Sequence, residues 1–217
     1  VLKAVKFCCA ILLIPLCYGT ASSVVSVVRA SGSADTFWVA IVSGAGCWVI
    51  VYLLLPKPIW IYVVGHEFTH VLWAWLFGGR VKRFRATSKG GHVIVAKDNF
   101  LISLAPYFFP LYAVVVIVVF FVGDIIWDWT AYLPFFHLLL GAAYAFHITL
   151  TLHILRTQQS DITRHGILFA AVVIWLGTMT LLMIGVSMLT AKFDLQKVFE
   201  SCWVETRNLF FWVFSLF

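Results

Sequence analysis

Six stretches of this chain are apolar over lengths that reach across a bilayer: about residues 4–28, 37–55, 59–77, 99–122, 131–155 and 166–190. A helix needs about 20 apolar residues to cross roughly 30 Å of hydrocarbon. Inside that layer every backbone polar group has to be satisfied by the chain itself, which favours helices. With short connections, spans of this length use up the 217 residues and leave no room for a separate soluble domain. Composition agrees: 63% of residues are hydrophobic and 11% charged, and the mean hydropathy is +1.01, outside the range of soluble globular domains. The expected fold class is an all-α polytopic membrane protein with about six transmembrane helices. It forms one integral membrane domain over residues 1–217 with the lipid bilayer as its surroundings.

Local signals refine this outline. Pro56-Lys57-Pro58 separates the second and third spans, and Trp38, Trp60, Trp127 and Trp129 fall near proposed interfaces, where amphipathic rings are enriched. Residues 1–22 share features with a signal peptide, since Lys3 and Lys6 precede an apolar run and "YGTASS" offers small residues. The apolar character resumes at "VVSVV", which fits a retained first span better. Over about 194–217, Leu195, Val198, Phe199, Cys202, Leu209, Phe210 and Val213 recur at helical spacing opposite Lys197, Glu200 and Asn208, the pattern of an interfacial helix. Residues 78–98, "GGRVKRFRATSKGGHVIVAKD", break the helical pattern. Alternation, a Gly90-Gly91 break and "HVIVA" predict two short strands and a turn.

Charge points to topology and away from nucleic acid. The net charge is +6, but six of the fifteen Lys and Arg lie between Arg80 and Lys97, as the positive-inside rule expects of a cytoplasmic connection. That rule groups the segment with Arg29, Arg156 and Arg164, places Asp161 on the same side, and leaves Lys3, Lys6, Lys57, Lys192, Lys197 and Arg207 opposite. The five cysteines have no CxxC spacing, so neither a disulfide framework nor a cysteine metal site follows.

The third stretch, "IWIYVVGHEFTHVLWAWLFGG", carries His66, Glu67 and His70 near its middle. An ionisable side chain at that depth costs roughly 2.5–3.5 kcal/mol on insertion scales, which makes it a functional-site hypothesis by default. His66-Glu67-Phe68-Thr69-His70 is an HExxH motif. On a helix its histidines stand one turn apart on one face and can hold one Zn2+, with Glu67 as general base toward the metal's water. The chemistry implied is metal-assisted peptide hydrolysis, because zinc lowers the pKa of its water to about 7 and polarises a carbonyl. The bland alternative is a pair of buried histidines neutralising one glutamate.

Catalytic zinc commonly takes three protein ligands, so one must come from elsewhere. Asp161, in the polar junction "RTQQSDITRHG", is the first candidate. His153 and His147 are rivals, and Asp161 could instead pair with Arg156 or Arg164. His137, His147 and His153 are also the kind of span histidine that bonds a backbone carbonyl, and His147 and His153, six apart, do not share a helix face.

From about Gly65 to Gly166 these features together resemble the site-2 protease family of intramembrane zinc metalloproteases. That family has a transmembrane HExxH, a membrane-associated β-hairpin, a GG-aromatic-V turn, a helix opening LAGPxxN and a distal NxxPxxxxD. The matching residues here are His66 to His70, Gly90-Gly91-His92-Val93, Leu104-Ala105-Pro106 and Asp161. The chain departs from the pattern at the missing glycine before Pro106, at Phe109, at His153 and at Arg156, where the family has Gly, Asn, Asn and Pro. The resemblance implies a metalloprotease-like core over about 59–190, Asp161 as third ligand, His92 and His153 as substrate contacts, and a hairpin that holds extended substrate by β-addition.

The expected function is therefore an intramembrane zinc metalloprotease, cleaving a transmembrane or membrane-proximal segment of a membrane protein substrate. Its metal ligands would be His66, His70 and Asp161, and its base Glu67. The alternative is an inactive homologue that binds membrane partners, or a metal-handling carrier; a carrier would need a second polar site along a path, for which His137 and His147 are the available residues. No regulatory membrane partner can be named from the sequence.

Overall fold

The computed structural model describes residues 2–32, 36–87, 90–190 and 195–215. They form nine α-helices and one antiparallel hairpin: α1 Leu2–Ala30, α2 Thr36–Leu54, α3 Ile59–Leu76, β1 Val81–Thr87, β2 Gly90–Val95, α4 Phe100–Phe108, α5 Leu111–Trp127, α6 Leu133–Ile154, α7 Ser160–His165, α8 Ile167–Thr190 and α9 Leu195–Phe214. A short 3-10 turn, Trp129–Tyr132, links α5 to α6. The chain divides into two compact units, Ala34–Gln159 and the combination of Val1–Ser33 with Ser160–Phe217.

Four helices are long and apolar enough to cross a membrane: Lys3–Ala30, Thr36–Leu54, Trp129–Ile154 and Ile167–Thr190. A fifth candidate is the pair α4 and α5, bent by 73° at the break between them. This is consistent with a membrane protein. Among the described residues there are thus four to five such candidates, and α3 is not one of them. The residues that single α3 out, His66, Glu67 and His70, also lower its apolarity.

In the unit Ala34–Gln159, α2 and α6 run parallel in close contact. Gly44 of α2 lies against the carbonyl of Leu138, and Gly141 of α6 against the carbonyl of Ile41, so each helix offers a notch to the other's backbone. Small residues at such crossings let dispersion contacts accumulate where apolar burial from water gives no drive. Further along, Trp48 Nε1 donates to Thr149 Oγ1 at 2.8 Å, and Tyr52 meets His153. Antiparallel to α6, α5 stacks Phe120 on Phe136 at 4.2 Å and sets Tyr112 edge-on to Phe146. The hairpin and α4 both pack on α3.

In the other unit α1 and α8 are also parallel. Lys6 Nζ donates to His165 Nδ1 at 2.7 Å, Trp175 Nε1 to the Cys17 carbonyl at 3.1 Å, and Val27 packs with Met183 and Val198. This corrects one expectation. Lys6 shares an end of its unit with the residues around Arg164, and Arg29 lies at the other end, whereas the charge count grouped Arg29 with Arg164 and set Lys6 opposite. The C-terminal helix packs lengthwise and antiparallel on α1. Val198 meets Val27, and Gly19 lies against the Cys202 carbonyl and Thr206. Val198 and Cys202 of its apolar stripe are buried, while Phe199 and Phe210 stay exposed. α1 continues as helix through residues 18–23, with Thr20 and Ser23 buried.

Candidate metal centre

The HExxH motif is helical throughout, on α3. Helical spacing puts His66 and His70 on one face, with ring centroids 5.0 Å apart at an interplanar angle of 79°. Glu67, between them in sequence, is buried. Thr69 is buried too, and its hydroxyl donates to the Gly65 carbonyl at 2.8 Å.

The orientation of His70 follows from a proline. In α4, the N–H of residue 106 would normally bond the carbonyl four residues earlier, that of Ile102. Pro106 has no N–H, so the carbonyl loses its helical donor. His70 Nδ1 fills that role at 2.8 Å. A carbonyl only accepts, so Nδ1 carries the proton and Nε2 keeps its lone pair when the ring is neutral. Metal-ligating histidines show this arrangement, in which the second ring nitrogen is anchored to a carbonyl or carboxylate. Asn99 holds the start of α4 in place by accepting from Ile102 N at 2.8 Å, and Ile102 itself is buried.

His147 is seated by the same logic. Tyr107 has Pro110 three residues on, and Leu111, four on, bonds the Phe109 carbonyl instead. The Tyr107 carbonyl bonds the His147 ring. His147 was weighed as a ligand or as a carbonyl-bonded span histidine, and this contact is the second of these. His153 turns toward α2, its Nδ1 3.5 Å from the Tyr52 hydroxyl. His137 packs edge-on against Phe37. The six-residue spacing of His147 and His153 therefore separates them as predicted.

The hairpin covers the glutamate. Strands β1 and β2 pair antiparallel, with Ala86 opposite Gly91 and Arg85 opposite His92. A Cβ at Gly91 would lie 2.5 Å from Glu67 Cδ and closer still to other Glu67 atoms, so only glycine lets the strand approach the carboxylate this closely. His92, next to it, is exposed. Gly91, Ile102 and Pro106 are site residues that the sequence reading named only as parts of motifs, or missed. The Gly-Gly pair and a proline within a helix were the signals available for them.

Asp161 occupies the first turn of α7, which belongs to the other unit, and Arg164 and His165 lie in the last turn of that helix. The chemistry of the donor set fits a metal ion. His70 offers an anchored ring with one lone pair, His66 stands beside it on the same face, and Glu67 is an adjacent carboxylate. No family model, curated protein or solved structure matches this chain.

Proposed function

We propose that this chain is a polytopic zinc endopeptidase of the site-2 protease type, hydrolysing a peptide bond in a transmembrane or membrane-proximal segment of a membrane protein. The observation that carries the reading is the anchored HExxH helix: His70 fixed through Nδ1 to Ile102, and Glu67 buried under the glycine strand. His66, His70 and Asp161 are the proposed ligands, since two imidazoles and a carboxylate suit hydrolytic zinc. When bound, the ion supplies Lewis acidity and a water of lowered pKa. Glu67, the buried carboxylate beside the two histidines, would be the group that accepts a proton as general base and returns it to the departing amine. The β1–β2 edge holds the substrate extended, as strand addition requires. α3 would count as a sixth membrane-embedded helix, its polar residues turned to the site. The basic hairpin and Asp161 would face the cytoplasm, as the positive-inside rule favours.

The decisive experiment pairs metal content with cleavage. Purified wild type should hold zinc and cleave a membrane substrate. Glu67→Gln should hold zinc and cleave nothing, and a His66→Ala, His70→Ala double variant should hold no zinc. Normal turnover by Glu67→Gln would end the peptidase reading. Zinc binding with no turnover even in wild type would leave an inactive homologue. A cysteine placed at the exposed position Arg85 should resist an impermeant thiol reagent added to intact cells; labelling from outside would invert the orientation.

A further inference from the structure

The hairpin is electrically one-sided. β1, VKRFRAT, carries Lys82, Arg83 and Arg85, and Arg80 precedes it, whereas β2, GGHVIV, carries no Lys or Arg. Positive-inside placement depends on the charge of the whole connection and is indifferent to which strand bears it, so the crowding on β1 needs another cause. The one acid between Gly78 and Asn99 is Asp98, and its carboxylate accepts from the Ser103 hydroxyl at 2.9 Å. Among the described residues, the side chains of Lys82, Arg83 and Arg85 have no hydrogen-bond or ion-pair partner.

Register settles which way the arginines face. Residues paired across an antiparallel ladder share a face, and successive residues alternate. The Cβ direction of Gly91 leads into the Glu67 carboxylate, so α3 lies under one face of the hairpin and the strand edges lie to the side. Gly91 pairs with Ala86, which puts the Arg85–His92 and Arg83–Ile94 pairs on the opposite face. Arg83, Arg85 and His92 are exposed there, the two arginines about 7 Å apart along β1. Among the described residues the sheet has two strands, so the outer edge of β1 presents unpaired N–H and C=O groups beside these cations.

We infer that the substrate strand adds to the outer edge of β1 and not to that of β2, and that the substrate class is a membrane-proximal segment with acidic side chains two residues apart. This rests on the peptidase reading above. Side chains two apart on an added strand share a face and stand beside Arg83 and Arg85, whose guanidinium groups can take carboxylates through paired N–H donors. Arg85 adjoins Ala86, the residue opposite Gly91 over Glu67, so the acids fall close to the scissile bond. On the β2 edge the same peptide would meet His92 and Ile94 instead. The open edge selects the occupant: a lipid headgroup could neutralise the arginines, but it lacks the alternating N–H and C=O groups with which an extended peptide satisfies a strand.

The test measures, by fluorescence anisotropy, the binding of short labelled peptides rich in Thr and Val to the whole chain in nanodiscs of zwitterionic lipid. Glu67→Gln serves as background so that bound peptide is not cut. One peptide carries two Glu two residues apart, another two Glu side by side, a third two Gln and a fourth two Lys. The alternating Glu peptide should bind about three- to tenfold tighter than the Gln peptide, as two opposite-charge cross-strand pairs provide, and tighter than the side-by-side one. Arg83→Glu with Arg85→Glu should reverse the order, so that the Lys peptide binds best, a gain that misfolding cannot produce. Lys57→Glu with Arg207→Glu, an equal change of net charge on exposed residues elsewhere, should leave the order as it was. A Glu preference that persists in the Arg83, Arg85 variant, or no preference in the parent, overturns the inference. So does arginine-dependent retention of phosphatidylglycerol without any peptide preference, which would make this face a headgroup site. Cleavage by the chain with Glu67 intact is read in parallel. Equal cleavage of all four peptides overturns the acidic preference alone, whereas no cleavage of any of them by the zinc-loaded protein ends the peptidase reading and this inference with it.

Discussion

His70 donates through Nδ1 to the carbonyl of Ile102 at 2.8 Å, a carbonyl left without its helical donor because residue 106 is proline. The proline acts at a distance. By freeing the Ile102 carbonyl, it fixes the proton on His70 Nδ1 and leaves the lone pair on Nε2. The same device recurs at Tyr107, whose carbonyl is released by the helix break at Pro110 and seats His147. One short buried helix thereby orients two histidines on two other helices.

Pro106→Ala is the direct test of this coupling. It returns an N–H that competes for the Ile102 carbonyl. Because a carbonyl has two lone pairs, the His70 bond would be displaced but not abolished. Losing the partner that orients a metal ligand typically costs ten- to a hundredfold in affinity, so zinc affinity should fall by about tenfold, while α4 gains a helical bond. Chelator competition measures it. Unchanged affinity together with an unchanged fold would show that the His70 anchor does not need the proline.

Gly91→Ala probes the cover over the glutamate. The new methyl would overlap Glu67, so either the strand lifts or the carboxylate turns away. Cleavage should drop by at least about tenfold if Glu67 shifts from its hydrogen-bonding position, with zinc retained because His66 and His70 are untouched. Gly46→Ala is the control, since nothing lies within 4 Å of its added Cβ. Full activity in Gly91→Ala would mean that the hairpin does not sit on the base in the working protein.

The crossing of α2 and α6 should be the most sensitive helix contact in its unit. Gly141→Leu pushes a side chain into the Ile41 backbone. Overpacking of this kind costs about 1–3 kcal/mol, and more where backbone must move. The measurement is thermal unfolding in detergent against Gly46→Ala, which should be neutral or slightly stabilising because glycine is the poorer helix former. Equal midpoints for the two variants would show that the helices can separate at little cost.

The parts of this molecule legible in its sequence are those set by short-range pattern. The apolar stretches gave helices, and the alternation with Gly90-Gly91 gave the hairpin, because periods of 3.6 and 2 are local properties. HExxH placed two histidines on one helix face for the same reason. What was not legible is pairing. Nothing in the periodicity of residues 4–28 and 166–190 says that α1 and α8 run parallel, which is why Lys6 and Arg29 were assigned to the wrong ends. The stripe of Val198 and Cys202 similarly reads alike whether lipid or α1 covers it. The Pro106 effect was readable in principle, since a proline in a helix always frees the carbonyl four residues back. The histidine that uses that carbonyl lies 32 residues away, beyond any local rule.

The third ligand is the remaining question about the site, and Asp161 and His153 are the two candidates to set against each other. Charge favours the aspartate. Two neutral imidazoles and one carboxylate leave a single net positive charge on a zinc centre, whereas three imidazoles leave two, which costs more to bury. His153 also has a partner already, the Tyr52 hydroxyl at 3.5 Å, and its ring packs edge-on to that tyrosine. On the proposed site-2 protease reading, Asp161, 95 residues after His66, would take the place of that pattern's carboxylate ligand and His153 the place of its asparagine. The expected result is therefore asymmetric. Asp161→Asn should lose most zinc affinity and all cleavage, because an amide oxygen is neutral and a poorer ligand. His153→Asn should keep zinc and a measurable share of activity. Zinc content by mass spectrometry and cleavage of a membrane substrate read the two effects separately. Loss of zinc in His153→Asn, with zinc kept in Asp161→Asn, would transfer the ligand role to the histidine.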